Sequence, residues 1–332
     1  MKSVYIILVN WNGGRDTVVC LDSLIRLNYP NYKIVVCDNG SSDDSLDVIK
    51  RWASNQGLTF RELSDIEGER GYYGEVDSPL IIIRSKSNLG FAGGNNVGMR
   101  LALTCRECSY IWLLNNDTAV EPDSLTRLVE RIEQQPSAGM CGSTVRFYNN
   151  PERIQALGGG YYCQWIGIPW HYGRFNGHAK EINRNRAEKW MNYVEGASIL
   201  VTRQFIEEIG LMCEDYFLYF EEADWAARSK GRFDLAYAPE SIVYHKVGGS
   251  IGTSSNPLRK SYTCDYFNIR NRIIFTRKFY PEALPTVYLI LLGEIVIRLM
   301  LCKWDRVVMI VRLLFGHVDK QLELMRDLQT QL

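Results

Sequence analysis

The chain has 332 residues, 46% of them apolar and 23% charged, enough for a large core in one or two globular domains. Its 38 basic and 38 acidic side chains cancel, so no global field draws it to nucleic acid, and no nucleic-acid partner is expected. Nine cysteines scattered from Cys20 to Cys302 read as reduced thiols in a cytosolic setting; the single CxxC at Cys105 and Cys108 has no second pair to complete a zinc site.

Residues 4–9 are an apolar run too short for a signal peptide, and read as a buried strand ending in Asn10-Trp11-Asn12-Gly13-Gly14. A helix follows, capped by Asp16 or Thr17, with Val18, Leu21, Leu24 and Ile25 at helical spacing, stopping near Asn28-Tyr29-Pro30. Residues 33–37 form the next strand. It ends in Asp38-Asn39-Gly40-Ser41-Ser42-Asp43, and a helix over 46–52 follows. Residues 56–78 are polar and read as an insertion loop. A third strand over 80–83 ends in the polar, glycine-rich run from Ser87 to Asn96, and a helix through Met99, Leu101 and Ala102 comes next. Tyr110-Ile111-Trp112-Leu113-Leu114 reads as a strand buried on both faces, ending in Asn115-Asn116-Asp117-Thr118. A helix over 124–135 closes this half.

Strands alternating with helices predict a doubly wound, mostly parallel α/β sheet. In such sheets ligands bind beyond the carboxyl ends of the strands. Four polar strand ends, each rich in Asn, Asp and Gly, then line one cleft. Asp117 reads either as a cap for the helix near Ser124 or as a ligand for a divalent cation, which takes oxygen donors and shares them with phosphates. No GxGxxG follows the first strand, which excludes a dinucleotide-binding dehydrogenase, and no P-loop is present.

The ordered set Val9-Asn10-Trp11-Asn12-Gly13, Asp38-Asn39-Gly40-Ser41-Ser42-Asp43, Asn88-Leu89-Gly90-Phe91-Ala92-Gly93-Gly94-Asn95-Asn96 and Leu113-Leu114-Asn115-Asn116-Asp117-Thr118 resembles family 2 inverting glycosyltransferases of the GT-A fold. The Asn88-to-Asn96 run is most like the rhamnosyltransferase branch. The resemblance implies that Asp38 accepts the N3–H of uracil or thymine, so that UDP and dTDP are equally suited. It implies that Val9, Asn10, Trp11 and Asn12 hold base and ribose. Asn88, Gly90, Gly93, Gly94, Asn95 and Asn116 would surround the sugar diphosphate. Asp117 takes the place of the last acid of the family's DxD metal motif, with Asn115 where the first acid would stand.

The second half carries Tyr161, Tyr162, Trp165, Trp170, Tyr172 and Phe175 in one stretch broken by Gly, Pro169 and His171. They read as core aromatics or as a mobile acceptor-side loop whose rings, Trp165 among them, receive sugar faces. The resemblance places Gly196 and Ala197 under the donor sugar and acceptor, and makes His245 a second metal ligand. In Glu221-Glu222-Ala223-Asp224, three acids open a helix after a run of aromatics. Apolar flanks would desolvate them and raise a carboxylate pKa. By the resemblance Glu222 is the catalytic base, a residue that is usually Asp. Asp224 belongs to the same catalytic acid motif, and Glu221 and Asp224 are candidates for holding the acceptor or Arg228. Arg270 and Arg272 are expected to approach diphosphate or anionic lipid.

The expected organisation is a GT-A domain over 1–275, with a nucleotide half at 1–140 and an acceptor half at 141–275, then a helical C-terminal segment at 276–332. The expected reaction is metal-dependent (Mg or Mn), inverting transfer of a hexose, rhamnose among the candidates, from a UDP- or dTDP-sugar to a cell-surface glycan acceptor, probably lipid-linked by this reading's logic of location. Alternatives are a non-catalytic nucleotide-sugar or glycan-binding protein and a sugar-phosphate nucleotidyltransferase. Residues 284–301 are apolar almost all round and 304–315 are amphipathic and basic, which predicts attachment of 282–332 to the cytoplasmic face of the membrane, or a homodimer.

Overall fold

The computed structural model describes residues 2–64, 78–171, 173, 183–246 and 261–317. Its first half runs β1 (Ser3–Asn10), α1 (Gly14–Leu24), β2 (Tyr32–Asp38), α2 (Ser45–Asn55), β3 (Phe60–Ser64), β4 (Leu80–Arg84), α3 (Gly90–Thr104), β5 (Cys108–Asn115), β6 (Thr118–Val120) and α4 (Ser124–Glu133). The second half runs β7 (Ala138–Phe147), β8 (Asn150–Leu157), β9 (Gly159–Cys163), β10 (Ile168–His171), α5 (Arg184–Trp190), β11 (Tyr193–Val194), β12 (Ser198–Thr202), α6 (Arg203–Ile209), α7 (Glu221–Ser229) and β13 (Asp234–His245). Three helices follow: α8 (Tyr262–Phe279), α9 (Leu284–Met300) and α10 (Trp304–Leu314).

One sheet runs through the molecule in the order β10-β9-β8-β7-β12-β5-β1-β2-β4-β3. The segment β5-β1-β2-β4-β3 is parallel throughout. Its strands alternate between two cores. Ile7, Val35, Ile81 and Ile111 pack with Met99 and Leu101 of α3 on one face. Ile6, Val36, Ile82 and Trp112 pack with Leu21, Ile49 and Leu128 of α1, α2 and α4 on the other. Both faces are covered, which is why these strands are unbroken apolar runs.

The register levels the polar strand ends. Asn10 pairs with Asp38, and Val9 with Asn115. β12 then runs antiparallel to β5, setting Ser198 beside Leu114. β13 lies parallel to β7 and antiparallel to β6, which carries His245 to Thr118.

Three expectations change. Residues 56–78 are not loop throughout: Phe60–Ser64 pairs with β4 as an edge strand. Leu63 is buried there while Glu62 and Ser64 face water, a charged edge that resists further pairing. The aromatic stretch forms a hairpin, β9 against β10, with Trp170 opposite Tyr161; Tyr172 and Phe175 lie outside the described residues. Helix α8 also runs through the expected boundary at 275.

The C-terminal helices have a core of their own. Tyr266, Phe267, Ile269 and Ile273 of α8 meet Val287 and Leu291 of α9 and Met309, Ile310 and Leu313 of α10. The charges of α9 turn toward α8. Glu294 accepts from Arg272 at 2.7 Å and from Arg298 at 3.0 Å, while Arg298 reaches both oxygens of Asp265 at 3.1 Å. Arg272 is therefore committed to an internal ion pair. Arg270 is buried too, bound to the Asp215 carbonyl and to Asn271. Neither is placed to meet diphosphate or lipid as expected.

Candidate active site

The floor of the cleft is a web of side chains at the ends of β1, β2 and β5. Asn10 donates to Asp38 Oδ1 at 2.8 Å, and Ser41 Oγ donates to the same oxygen at 2.6 Å. Thr17 does not cap α1, whose N-cap is Gly13. Its hydroxyl instead donates to Asn10 Oδ1 at 2.8 Å and accepts from Asn116 at 2.9 Å. Asn10, Thr17, Asp38 and Asn116 are all buried. Asp38 Oδ2 takes only a 3.2 Å contact from the Ser41 backbone N–H, so it retains acceptor capacity. Asn12, at φ +51°, accepts from Ser42 N–H at 2.8 Å. Trp11 is half-buried beside it, as is Val9.

The glycine-rich run serves packing. A Cβ on Gly90, at φ +70°, would lie 2.4 Å from the Phe217 carbonyl, which itself accepts from Phe91 N–H at 2.7 Å. Gly93 makes room for Leu89, and Gly94 for Val9 and Asn39. Asn88 accepts from Asn39 and from Gly90 N–H. Asn95 is buried with its amide on the Phe91 carbonyl, and Asn96 ties α3 to Met212 and Glu214. Gly93 and Asn95 thus shape the cleft from behind its surface.

Asp117 does not cap α4, whose N-cap position is Asp123. Its Oδ1 lies 3.2 Å from His245 Nε2, and its carbonyl accepts from Lys246 N–H. Burial pushes the Asp117 pKa up, but the His245 hydrogen bond and charge outweigh that and hold it below its ordinary value. Burial pushes His245 down, and Asp117 more than reverses it. The Asn115 amide lies 3.5 Å from His245 Nε2. Among the described residues no three His, Cys, Asp or Glu side chains converge on a metal site. Two protein donors suit a cation whose remaining ligands are water and phosphate. Adjacent ligands of an octahedral ion at 2.0–2.1 Å lie roughly 3 Å apart, so the Asp117–His245 spacing fits one such ion.

The acids of α7 divide. Asp224 is fully buried, with Arg228 at 2.6 Å, Lys278 at 2.6 Å and the Tyr216 hydroxyl at 3.0 Å. Its place is therefore in the fold, anchoring α7 to α8, rather than at a reacting centre; of the two roles expected for it, the Arg228 contact is the one formed. Glu221 is also buried, and burial and Glu222 raise its pKa well above the ordinary value. Glu222 is half-buried and faces Gly196, where an added Cβ would stand 3.5 Å from its Oε1. Burial first, then the nearby Glu195 carboxylate, push Glu222 to about 7. Gly196 and Ala197 form the turn whose Ala197 carbonyl accepts from Asn115 N–H, so one turn separates Glu222 from the Asp117 corner.

The loop before α7 is strained. Phe217, Tyr219 and Phe220 have φ of +62°, +69° and +78°, conformations that cost bulky residues about 1–3 kcal/mol each. Asn271 holds it, donating to the Tyr216 and Leu218 carbonyls at 2.8 Å and to Tyr219 at 3.1 Å. Sequence reading missed Asn271, Gln155 and Glu195 as contributors. Glu195 had one signal, an acid directly before the Gly196-Ala197 turn; Gln155 had none. Trp165 sits exposed in the turn joining β9 to β10, and Gly167 in that turn abuts Arg272 and Val287.

The family model described as "Glycosyl transferase family 2" matches residues 5–200. A poly-beta-1,6-N-acetyl-D-glucosamine synthase of Staphylococcus epidermidis is 20% identical over 253 residues, covering 76% of this chain and 52% of the synthase, so the chain spans about half that relative's length. A low-salt glycan biosynthesis hexosyltransferase of Haloferax volcanii is 21% identical over 307 residues, covering 90% and 85%. A mannosyltransferase from Pyrobaculum calidifontis, solved with GDP-Man and Mn2+, superposes with TM-score 0.52 at 14% identity, covering 98% of this chain and 84% of that one. These likenesses agree with the GT-A fold: the mixed sheet, its parallel nucleotide-side strands and the appended helices.

Proposed function

We propose, for this chain, which belongs to glycosyl transferase family 2, an inverting and cation-assisted transfer of a hexose from a nucleoside diphosphate sugar to a glycan hydroxyl. The observation that carries this is the meeting of Glu222 and the Asp117–His245 pair across the Gly196-Ala197 turn. A carboxylate titrating near 7 is matched to taking a proton from a hydroxyl at neutral pH. A divalent ion held by Asp117 and His245 would neutralise charge on the departing diphosphate.

On the donor side, Asp38 Oδ2 would accept the base N3–H, which suits UDP and dTDP. Asn10 and Asn116 hold Asp38 and the strand ends in register, while Val9, Trp11 and Asn12 flank the base and ribose. Rhamnose is the candidate sugar carried forward from the Asn88-to-Asn96 run. Trp165, Gly196 and Ala197 would lie on the acceptor side. The acceptor would be a lipid-linked, cell-surface glycan, reached from the cytoplasmic face through residues 282–332.

A panel of UDP-, dTDP- and GDP-sugars, assayed for nucleoside diphosphate release and read by mass spectrometry, tests this. Turnover should appear with a UDP- or dTDP-sugar, vanish with EDTA and return with Mn or Mg. Asp117→Asn should cut the rate by orders of magnitude in a folded protein. Full activity in EDTA would remove the cation from the mechanism. Donor binding without any release would make the chain a nucleotide-sugar-binding protein instead.

A further inference from the structure

Behind the Asp117–His245 pair runs a chain of polar side chains drawn from three other places in the fold. His245 Nδ1 lies 3.0 Å from Gln155 Oε1 on β8. Gln155 Nε2 donates to Glu195 Oε1 at 3.4 Å, and Glu195 Oε2 lies 3.1 Å from His171 Nε2 on β10. Gln155, Glu195 and His245 are each at most 9% exposed. Buried polar groups of this kind are satisfied by one another, so their donor and acceptor roles are coupled.

Those roles follow from what each group can do. An ionised carboxylate only accepts, so Glu195 must receive the Gln155 amide N–H. That turns the Gln155 oxygen toward His245. An amide oxygen only accepts, so His245 Nδ1 carries hydrogen. In the neutral ring the lone pair is then on Nε2, the nitrogen that faces Asp117. Without this chain the ring could take either tautomer, and one of them aims N–H at a cation.

We propose that Gln155 and Glu195 are positioning residues that fix the His245 tautomer and thereby set the affinity of the Asp117–His245 corner for a divalent cation. This rests on reading that corner as the cation site. Partners of a ligating histidine typically contribute 10–100-fold in metal affinity.

The test uses full-length protein with Mn2+, alone and with UDP, and follows free Mn2+ by electron paramagnetic resonance. His245→Ala should abolish tight Mn2+ binding. Gln155→Leu should weaken it by about 10–100-fold. Glu195→Gln keeps the size but frees the Gln155 amide to turn over, and should weaken it less than Gln155→Leu. Nitrogen-15 NMR of the histidines in metal-free protein at alkaline pH gives a readout independent of metal and of folding losses in any one variant. Wild type should show His245 protonated on Nδ1, and Glu195→Gln a mixture of tautomers. Weak binding in His245→Ala with wild-type affinity in Gln155→Leu overturns the proposal and leaves the cation site standing. Mn2+ affinity unchanged in His245→Ala overturns the cation reading itself. An Nε2-protonated His245 in wild type overturns the proposal whatever the affinities.

Discussion

Glu222 and Asp224 stand two residues apart on one helix and have opposite surroundings. Asp224 is enclosed by Arg228, Lys278 and Tyr216, so its charge is spent on holding elements together. Glu222 has no cation among its named neighbours and feels the Glu195 charge, which is why its carboxyl rises to about 7. If Glu222 is the base, the rate should climb with pH and level off above about 7. Glu222→Gln should lower turnover by about 10²–10⁴-fold and abolish that rise, with donor binding little changed. A pH–rate profile of both proteins decides it; a rise through 7 that persists in Glu222→Gln would assign the titration elsewhere. The shift also has a sign for stability. A raised folded-state pKa favours the protonated form, so this group's contribution is present below the ordinary 4.5 and is lost as pH rises through about 7. The acid motif was legible in sequence because three acids follow aromatics. Which acid faces the cleft was not, since that depends on Lys278 and on Gly196, which only tertiary packing brings near.

At the scale of elements, apolar runs made β1, β2, β4 and β5 legible, because a strand buried on both faces needs no alternation. β3 was hidden by its own edge position, where only Leu63 must be apolar. Asp117 was ambiguous for a related reason. A short strand, β6, intervenes before α4, and the residue that decides the role of Asp117 is His245 at the end of β13. The strained loop before α7 was invisible, since nothing in Phe217-Leu218-Tyr219-Phe220 announces positive φ. Its restraint is one amide. Asn271→Leu would leave three carbonyls without that donor and should destabilise the protein by about 1–3 kcal/mol. It should also lower turnover more than donor affinity, because the loop sets where Glu222 begins its helix while Asp38 lies on other strands. Urea denaturation with a donor titration checks both parts; lost donor binding with normal turnover would place this loop at the nucleotide instead.

For the whole molecule, the open matter is the apolar outer face of the C-terminal helices. Pro281–Met300 has a mean hydropathy of 1.8 over its most apolar window, with 22% of that window buried, and its 20 residues reach about 30 Å. Length alone would allow a bilayer span. The placement of charge argues against one: Glu294 and Arg298 face α8, paired with Arg272 and Asp265, so α9 lies along the protein with one side free. Leu289, Leu292, Val296, Ile297 and Met300 are exposed on that side, and Trp304, Val308 and Phe315 continue it. An apolar face of this kind beside a catalytic domain suits burial in the acyl boundary of a membrane. Deleting residues 282–332 would be a poor test, because it would leave Arg272 and Asp265 buried without these partners and uncover Tyr266 and Phe267. Substituting the free face is cleaner. Leu292→Glu with Val296→Glu removes two side chains from the contact and should weaken binding to anionic phospholipid vesicles by roughly 100-fold, at 1.5–3 kcal/mol per buried side chain. Turnover on a soluble acceptor should be unchanged, since neither residue touches the cleft or the α8 core. Vesicle co-sedimentation measures the first effect, and light scattering the mass in solution. A lipid-indifferent dimer that becomes a monomer in the double variant would make this face a contact between two copies of the chain.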